Sequence, residues 1–220
     1  MAAKYRVCVV DDDAAVRESI QQLLKANGIE SIGFATSQDF MAADVSKKVG
    51  CLILDVRLPG ISGLDIQEIL LQKKTAIPVI VLTGHADVPL AVRATKNGAI
   101  DVLEKPFTPA VLLQRVKEAL DLYGRWQKVE QERQVVAERI ALLTPREREV
   151  FDLMAAGVKN LAIAQQLGIS RKTLDIHRLK VISKTKARTA ADLARWSLLE
   201  QSGPGGTVNI TAGGYVPKDR

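Results

Sequence analysis

Five short apolar runs, "RVCVV", "ESIGF", "CLILD", "PVIVLT" and "AIDVLE", recur through the first half of the chain with amphipathic stretches between them. This alternation limits the possible folds more than any other feature of the 220 residues. In "AAVRESIQQLLKANG", Val16, Ile20, Leu23 and Leu24 share one helical face, and Asn27-Gly28 supplies a stop. Strands that alternate with helices are joined by crossovers, which implies a parallel sheet with helices on its faces. In such sheets, groups that act on ligands gather at the carboxyl ends of the strands. Asp11 and Asp12 then close the first strand, Asp55 the third and Thr83 the fourth, while Lys105 follows the fifth. All five side chains are expected at one edge.

Three carboxylates at one edge repel each other, and either a raised pKa or a bound divalent cation relieves them. Mg²⁺ suits one or two carboxylates, several waters and a phosphate. With the Thr83 hydroxyl and the Lys105 ammonium, the edge becomes a cradle for phosphoryl oxygens, and Asp55 is placed as a nucleophile. Each residue alone has a plainer reading, since a strand-end aspartate is usually a turn residue and Lys-Pro a turn. The combination carries the inference.

The stretches "VVDDD", "LILDVRLPGISG", "VLTGHAD" and "EKPF" give residues 5 to about 122 a resemblance to the receiver domain of bacterial two-component response regulators. The resemblance implies a five-stranded, parallel, doubly wound sheet of the flavodoxin-like kind. It also implies that Asp55 is the phosphoacceptor. Asp11, Asp12, Asp55 and the backbone carbonyl of Arg57 would hold Mg²⁺. Thr83 would be the switch hydroxyl, and Lys105 would contact the phosphoryl group. Lys105-Pro106 would be cis, and the donor would be a phosphohistidine on a cognate sensor histidine kinase. One position departs from the family. Three residues before the lysine, where Phe or Tyr is usual, stands Val102, so burial of an aromatic ring cannot report phosphorylation here. Either the switch is weaker or another element of the face formed by the fourth helix and fifth strand carries it, with Phe107 a candidate that otherwise reads as core. His85 reads as an exposed loop residue.

The net charge of +6 is uneven: residues 144–201 hold 11 Lys/Arg against 6 Asp/Glu, while residues 1–121 hold 14 against 15. A basic module beside a neutral one suits a polyanion partner for the former alone. Between them, Leu122, Trp126, Val129, Val136, Ile140 and Leu143 repeat at spacings of four and three, with Arg133 in the missing slot. This reads as a connecting helix, weakened at Gly124. Its seam serves either a short dimer contact or packing onto its own domain. Thr144, Pro145 and Glu147 spell a helix start, with Thr144 as the cap.

In "NLAIAQQLGISRKTLDIHRLKVI", Ala164 and Gly168 stand at the spacing of a helix-turn-helix, the first allowing a close crossing and the second a turn with positive φ. Ile163, Leu167, Ile169, Leu174 and Val181 fall on the inner face, and His177 with them as a packing residue. The outer face of the second helix carries Arg171, Lys172, Thr173, Asp175, Ile176, Arg178, Leu179 and Lys180 as the DNA-contacting set, followed by Lys184, Lys186 and Arg188. Base reading falls to Lys172, Asp175, Ile176 and Leu179, and the remaining cations meet phosphates. From "LTPREREVFDLMAAG" through this stretch to about residue 200, the chain closely resembles the LuxR/FixJ-type four-helix DNA-binding domain. Where that family ends its recognition helix in Leu-Gly, this chain has Thr185-Lys186. Either the helix runs on or the packing of the final helix shifts.

The expected organisation is a receiver at 1–122, a helical linker at 123–141, an all-α LuxR-type helix-turn-helix domain at 142–201 and a disordered Gly-rich tail at 202–220. The expected function is a DNA-binding transcriptional response regulator, not an enzyme, switched by Mg²⁺-dependent phosphorylation of Asp55. Double-stranded DNA, the sensor kinase and a second copy in a phosphorylated homodimer are the expected partners, with RNA polymerase a further candidate. The alternative is a phosphorylation-independent regulator whose receiver is passive. A Mg²⁺-dependent phosphohydrolase would want an acid two residues after Asp55, and that position is Arg57. No run reaches the roughly 18 apolar residues of a membrane span, and no signal-peptide pattern opens the chain. Cys8 and Cys51, inside apolar runs, read as free buried thiols of a cytoplasmic protein. Both cysteines are remote from the histidines, which argues against zinc.

Overall fold

The computed structural model describes residues 5–43, 49–73 and 75–201. The chain divides into two compact units, Met1–Trp126 and Gln127–Arg220, a division that falls inside the segment expected as a linker. The tail expected to be disordered lies outside the described residues.

In the first unit β1 (Arg6–Val10), α1 (Ala14–Ala26), β2 (Ser31–Phe34), α2 (Ser37–Ala42), β3 (Val49–Asp55), α3 (Gly63–Gln72), β4 (Val79–Thr83), α4 (Val88–Lys96) and β5 (Ala99–Glu104) alternate, ahead of α5 (Pro109–Ala141). The strands pair in the order β2-β1-β3-β4-β5, every pair parallel. Helices cover both faces, so the inner strands read as continuous apolar runs. Every residue of β3 and β4 is buried. Side chains alternate between two cores. Val7, Val9, Cys51, Ile53, Ile80 and Leu82 meet Ile20 and Leu24 of α1 and Leu112 and Val116 of α5. Cys8, Val10, Leu52, Leu54 and Val81 meet Phe40, Leu64, Ile66, Leu70 and Ala94. Truncating one such residue, as in Leu54→Ala, costs about 2–5 kcal/mol. Cys8 and Cys51 are free and fully buried. Burial pushes the Cys8 thiol up to about 12 and raises that of Cys51 further.

Strand register, not loop chance, sets the carboxyl edge of the sheet. Val10 pairs with Leu54, Asp55 with Leu82, and Thr83 with Glu104, so the residues at and just past these ends line up. Behind Asp55 the chain folds back tightly: Gly63 donates to the Val56 carbonyl at 3.0 Å. A Cβ at Gly63 would lie 2.1 Å from the Asp55 carbonyl oxygen, so only glycine fits there.

Helix α5 runs unbroken through Gly124, the expected weak point. Within the second unit its stripe is used for self-packing: Val136 and Ile140 are buried with Val150, Phe151, Ile163, Leu174, Val181, Leu193 and Trp196. Val129 stays 42% exposed, and Arg133 pairs with Glu130 at 2.7 Å. Of the two seam readings, the C-terminal half of the stripe therefore follows the packing one. Among the described residues four helices follow in this unit: α6 (Pro145–Ala155), α7 (Asn160–Gln166), α8 (Arg171–Thr185) and α9 (Ala190–Gln201). The Thr144/Glu147 capping box that starts α6 is present in full. Between α7 and α8, Gly168 has φ 64° and Ala164 is buried. Helix α8 does not run on: Lys186 takes the left-handed position, φ 62° and ψ 24°, where glycine is the usual residue.

Candidate functional site

At the carboxyl edge of the sheet, the Lys105 ammonium donates to Asp11 Oδ2 at 2.7 Å and to Asp55 Oδ1 at 2.6 Å. Asp11 is fully buried and Asp55 nearly so, while the Lys105 side chain is 22% exposed. Backbone groups complete the clasp. The Arg57 N–H donates to Asp55 Oδ2 at 2.6 Å and the Asp13 N–H to Asp11 Oδ1 at 3.0 Å. Arg17 donates to the Asp11 carbonyl at 2.7 Å. Burial raises the Asp11 carboxyl above its ordinary value, against the lowering effect of Lys105. Burial alone would lower the Lys105 ammonium, but its bonds to the two carboxylates outweigh that and raise it. The edge is thus one cation shared by two carboxylates.

Two of the expected residues stand apart from this clasp. Asp12 is exposed. Among the described residues no group of three His, Cys, Asp or Glu is arranged to hold a metal. Thr83, 2% exposed, spends its hydroxyl on the next loop, donating to the His85 carbonyl at 2.9 Å and accepting from the His85 N–H at 3.2 Å. Glu104 Oε1 holds the same loop by accepting from the Ala86 N–H at 3.1 Å. Lys105–Pro106 is cis, as the resemblance implied. Val102 pairs with Val81 and packs half-buried, Phe107 is half-buried on the opposite core, and His85 is exposed. The donors still suit Mg²⁺. They are hard carboxylate oxygens with one carboxylate kept short of positive charge, and Mg²⁺ needs no third protein carboxylate.

The second constellation lies along α8. Arg171, Lys172, Asp175, Ile176, Leu179 and Lys180 are exposed, and Leu174 and Val181 are buried beneath them. Thr173 serves the helix start instead: its N–H donates to the Ser170 hydroxyl at 3.1 Å, and the two hydroxyls lie 2.8 Å apart. Arg178 is half-buried, 3.5 Å from Asp175. His177 is half-buried, in keeping with a packing role. Lys184, expected with the outward cations, instead donates to Glu147 Oε2 at 2.5 Å and to the Leu142 carbonyl at 3.1 Å. Sequence reasoning placed Glu147 in a capping box but had no signal for a partner 37 residues away. That lysine, with the Thr144 N–H, pushes the Glu147 carboxyl down to about 2.

Residues 7–117 match the family described as the response regulator receiver domain, and residues 141–197 match bacterial regulatory proteins of the LuxR family. The chain is 42% identical over 204 residues to the transcriptional regulatory protein FixJ of Azorhizobium caulinodans, covering 93% of this chain and 97% of that one. It is 41% identical to the C4-dicarboxylate transport transcriptional regulatory protein DctR of Rhodobacter capsulatus, over 87% of this chain and 98% of the other. Among solved structures, the response regulator StyR aligns with a TM-score of 0.76 at 36% identity, covering 89% of this chain and 99% of that one.

Proposed function

The chain belongs to the two-component response regulators that join a receiver domain to a LuxR-type DNA-binding domain, and on that premise we propose that Asp55 accepts the phosphoryl group that switches DNA binding. Phosphorylation-dependent activation is the norm of this family. One observation carries the assignment: Lys105 clasps Asp55 and Asp11 together at the one edge where the strand ends converge. An Asp55 carboxylate oxygen attacks the donor phosphorus. The new O–P bond forms as the P–N bond of a kinase phosphohistidine breaks, and the leaving ring nitrogen takes the electron pair and a proton. Lys105 stays beside Asp55 to neutralise charge on the transferring group. Asp11 and Asp55, with the Arg57 carbonyl and the nearby Asp12, are the residues that would hold Mg²⁺. Bound there, the ion would supply charge neutralisation at the phosphoryl oxygens.

Thr83 enters the switch by giving up its two bonds to His85 in exchange for a phosphoryl oxygen. With Val102 in place of an aromatic ring, we assign the readout to the loop held by His85, Ala86 and Glu104. Moving a two-state switch from mostly off to mostly on takes about 5.5 kcal/mol of differential stabilisation. Charge-assisted bonds to a phosphoryl group contribute on that scale. Output follows from α8: Arg171, Lys172 and Lys180 meet phosphates and groove edges, and a phosphorylated homodimer engages paired half-sites. RNA polymerase is then the partner through which occupancy alters transcription. The test is direct. Asp55→Asn should abolish labelling by acetyl phosphate and the accompanying rise in DNA affinity. Labelling that persists in this variant would remove Asp55 from the role.

A further inference from the structure

The outward face of α8 holds more than charge. Lys172, Asp175, Ile176 and Leu179 follow one another at three, one and three residues, so they form a single stripe along the helix. The two apolar members are uncovered: Ile176 is 48% exposed and Leu179 68%. Among the described residues Asp175, with 63% of its side chain exposed, has only the long 3.5 Å approach to Arg178. Exposed Arg171 and Lys180 flank the stripe. An apolar strip set in a positive surround matches a surface that is anionic at its rims and apolar in its floor. The major groove of duplex DNA has that form, with phosphates along the edges and thymine C5-methyl groups inside.

We propose that Ile176 and Leu179 read thymine methyl groups, while Lys172 and Asp175 read a neighbouring G·C pair. The ammonium would donate to guanine O6 or N7, and the carboxylate would accept from the cytosine amino group. This rests on the reading of α8 as the DNA-contacting helix. A helical turn rises about 5.4 Å and base pairs stack about 3.4 Å apart, so the two kinds of contact fall one or two base pairs from each other. The preferred half-site therefore contains a G·C pair within about two steps of thymine.

Selection from random duplexes with the full-length protein, with and without acetyl phosphate and Mg²⁺, supplies the site. Its affinity is then compared with that of the same duplex carrying uracil for thymine, which removes methyl groups and nothing from the protein. Each contacted methyl lost should weaken binding about fourfold, the equivalent of one buried methylene. Leu179→Ala should weaken binding to the thymine duplex and bring the thymine-to-uracil ratio towards one. Asp175→Asn should relax the choice of cytosine at a single position. Equal affinity for the thymine and uracil duplexes overturns the proposal while leaving DNA binding intact. So does a Leu179→Ala variant that weakens both duplexes equally. Failure to select any sequence, or to bind any duplex, overturns the underlying reading of α8 instead.

Discussion

Asp11 at the end of β1 and Glu147 at the start of α6 are both shielded from solvent, 0% and 3% exposed, and each is bonded to a lysine. Their titration is nevertheless shifted in opposite directions. Among the described residues Glu147 has Lys184 without an acidic competitor, plus the Thr144 N–H at a helix N-terminus where free backbone donors favour negative charge. Its carboxyl is driven down to about 2. Asp11 must share Lys105 with Asp55, and burial prevails, so its carboxyl rises. A carboxylate supplied with enough positive charge acts as a structural fastener. One kept short of it fits the Mg²⁺ role proposed above. The same residue pairing thus serves the proposed phosphoacceptor edge in one unit and a folding device in the other.

The pH dependences follow with opposite sign. Glu147 is depressed on folding, so the stability it contributes is present above its unfolded value near 4.5 and is lost as pH falls towards 2. Asp11 is raised, so its contribution is present below its ordinary value of 3.8 and is lost as pH rises through the folded pKa. At neutral pH a charged Asp11 therefore costs the receiver stability.

The largest test of this contrast lies at Gly63, which seats the Asp55 backbone. Gly63→Ala forces a Cβ against the Asp55 carbonyl and should cost about 3 kcal/mol, read from denaturant midpoints, with acetyl phosphate labelling greatly slowed. Wild-type labelling in that variant would show that the edge tolerates a displaced Asp55. Glu147→Ala comes next, at about 2 kcal/mol at pH 7 for a lost charge-assisted bond and cap. Between pH 4.5 and 2 the gap from wild type should close. A gap that holds constant would remove the charge argument. Asp11→Asn should act in the other direction, raising stability at neutral pH by less than that loss while abolishing Mg²⁺-dependent labelling. Destabilisation by Asp11→Asn would sink the comparison. The smallest effect is expected at Lys186, where Lys186→Gly relieves the left-handed cap and should stabilise by about 1 kcal/mol.

Much of the receiver was legible because its signals are local and periodic. Apolar runs ending in Asp11, Asp55 and Thr83 specify a parallel sheet and the edge where their ends converge without any distant partner. Gly168 and the Thr144–Glu147 box were legible for the same reason, since turn and cap chemistry is written within four residues. What escaped was partnership across the fold. Lys184 looks like one more outward cation until Glu147 is brought to it. Val136 and Ile140 fit a dimer seam and a domain core equally well by spacing, and only burial among Phe151, Leu174 and Trp196 decides. The Thr83 hydroxyl lies beside the predicted cluster in sequence logic, yet its bonds go to His85, because a hydroxyl rotor answers to its immediate backbone. Lys186 escaped because a helix stop normally announces itself with glycine.

The two thiols, sealed on either side of the central sheet, have a practical corollary for anyone wishing to watch this switch move. Neither offers a reactive sulfur to a maleimide or nitroxide reagent while the receiver stays folded, since Cys8 and Cys51 are both inaccessible and hold their protons far above neutrality. A single new cysteine on the surface would therefore carry a fluorophore or spin label alone, on an otherwise unaltered polypeptide.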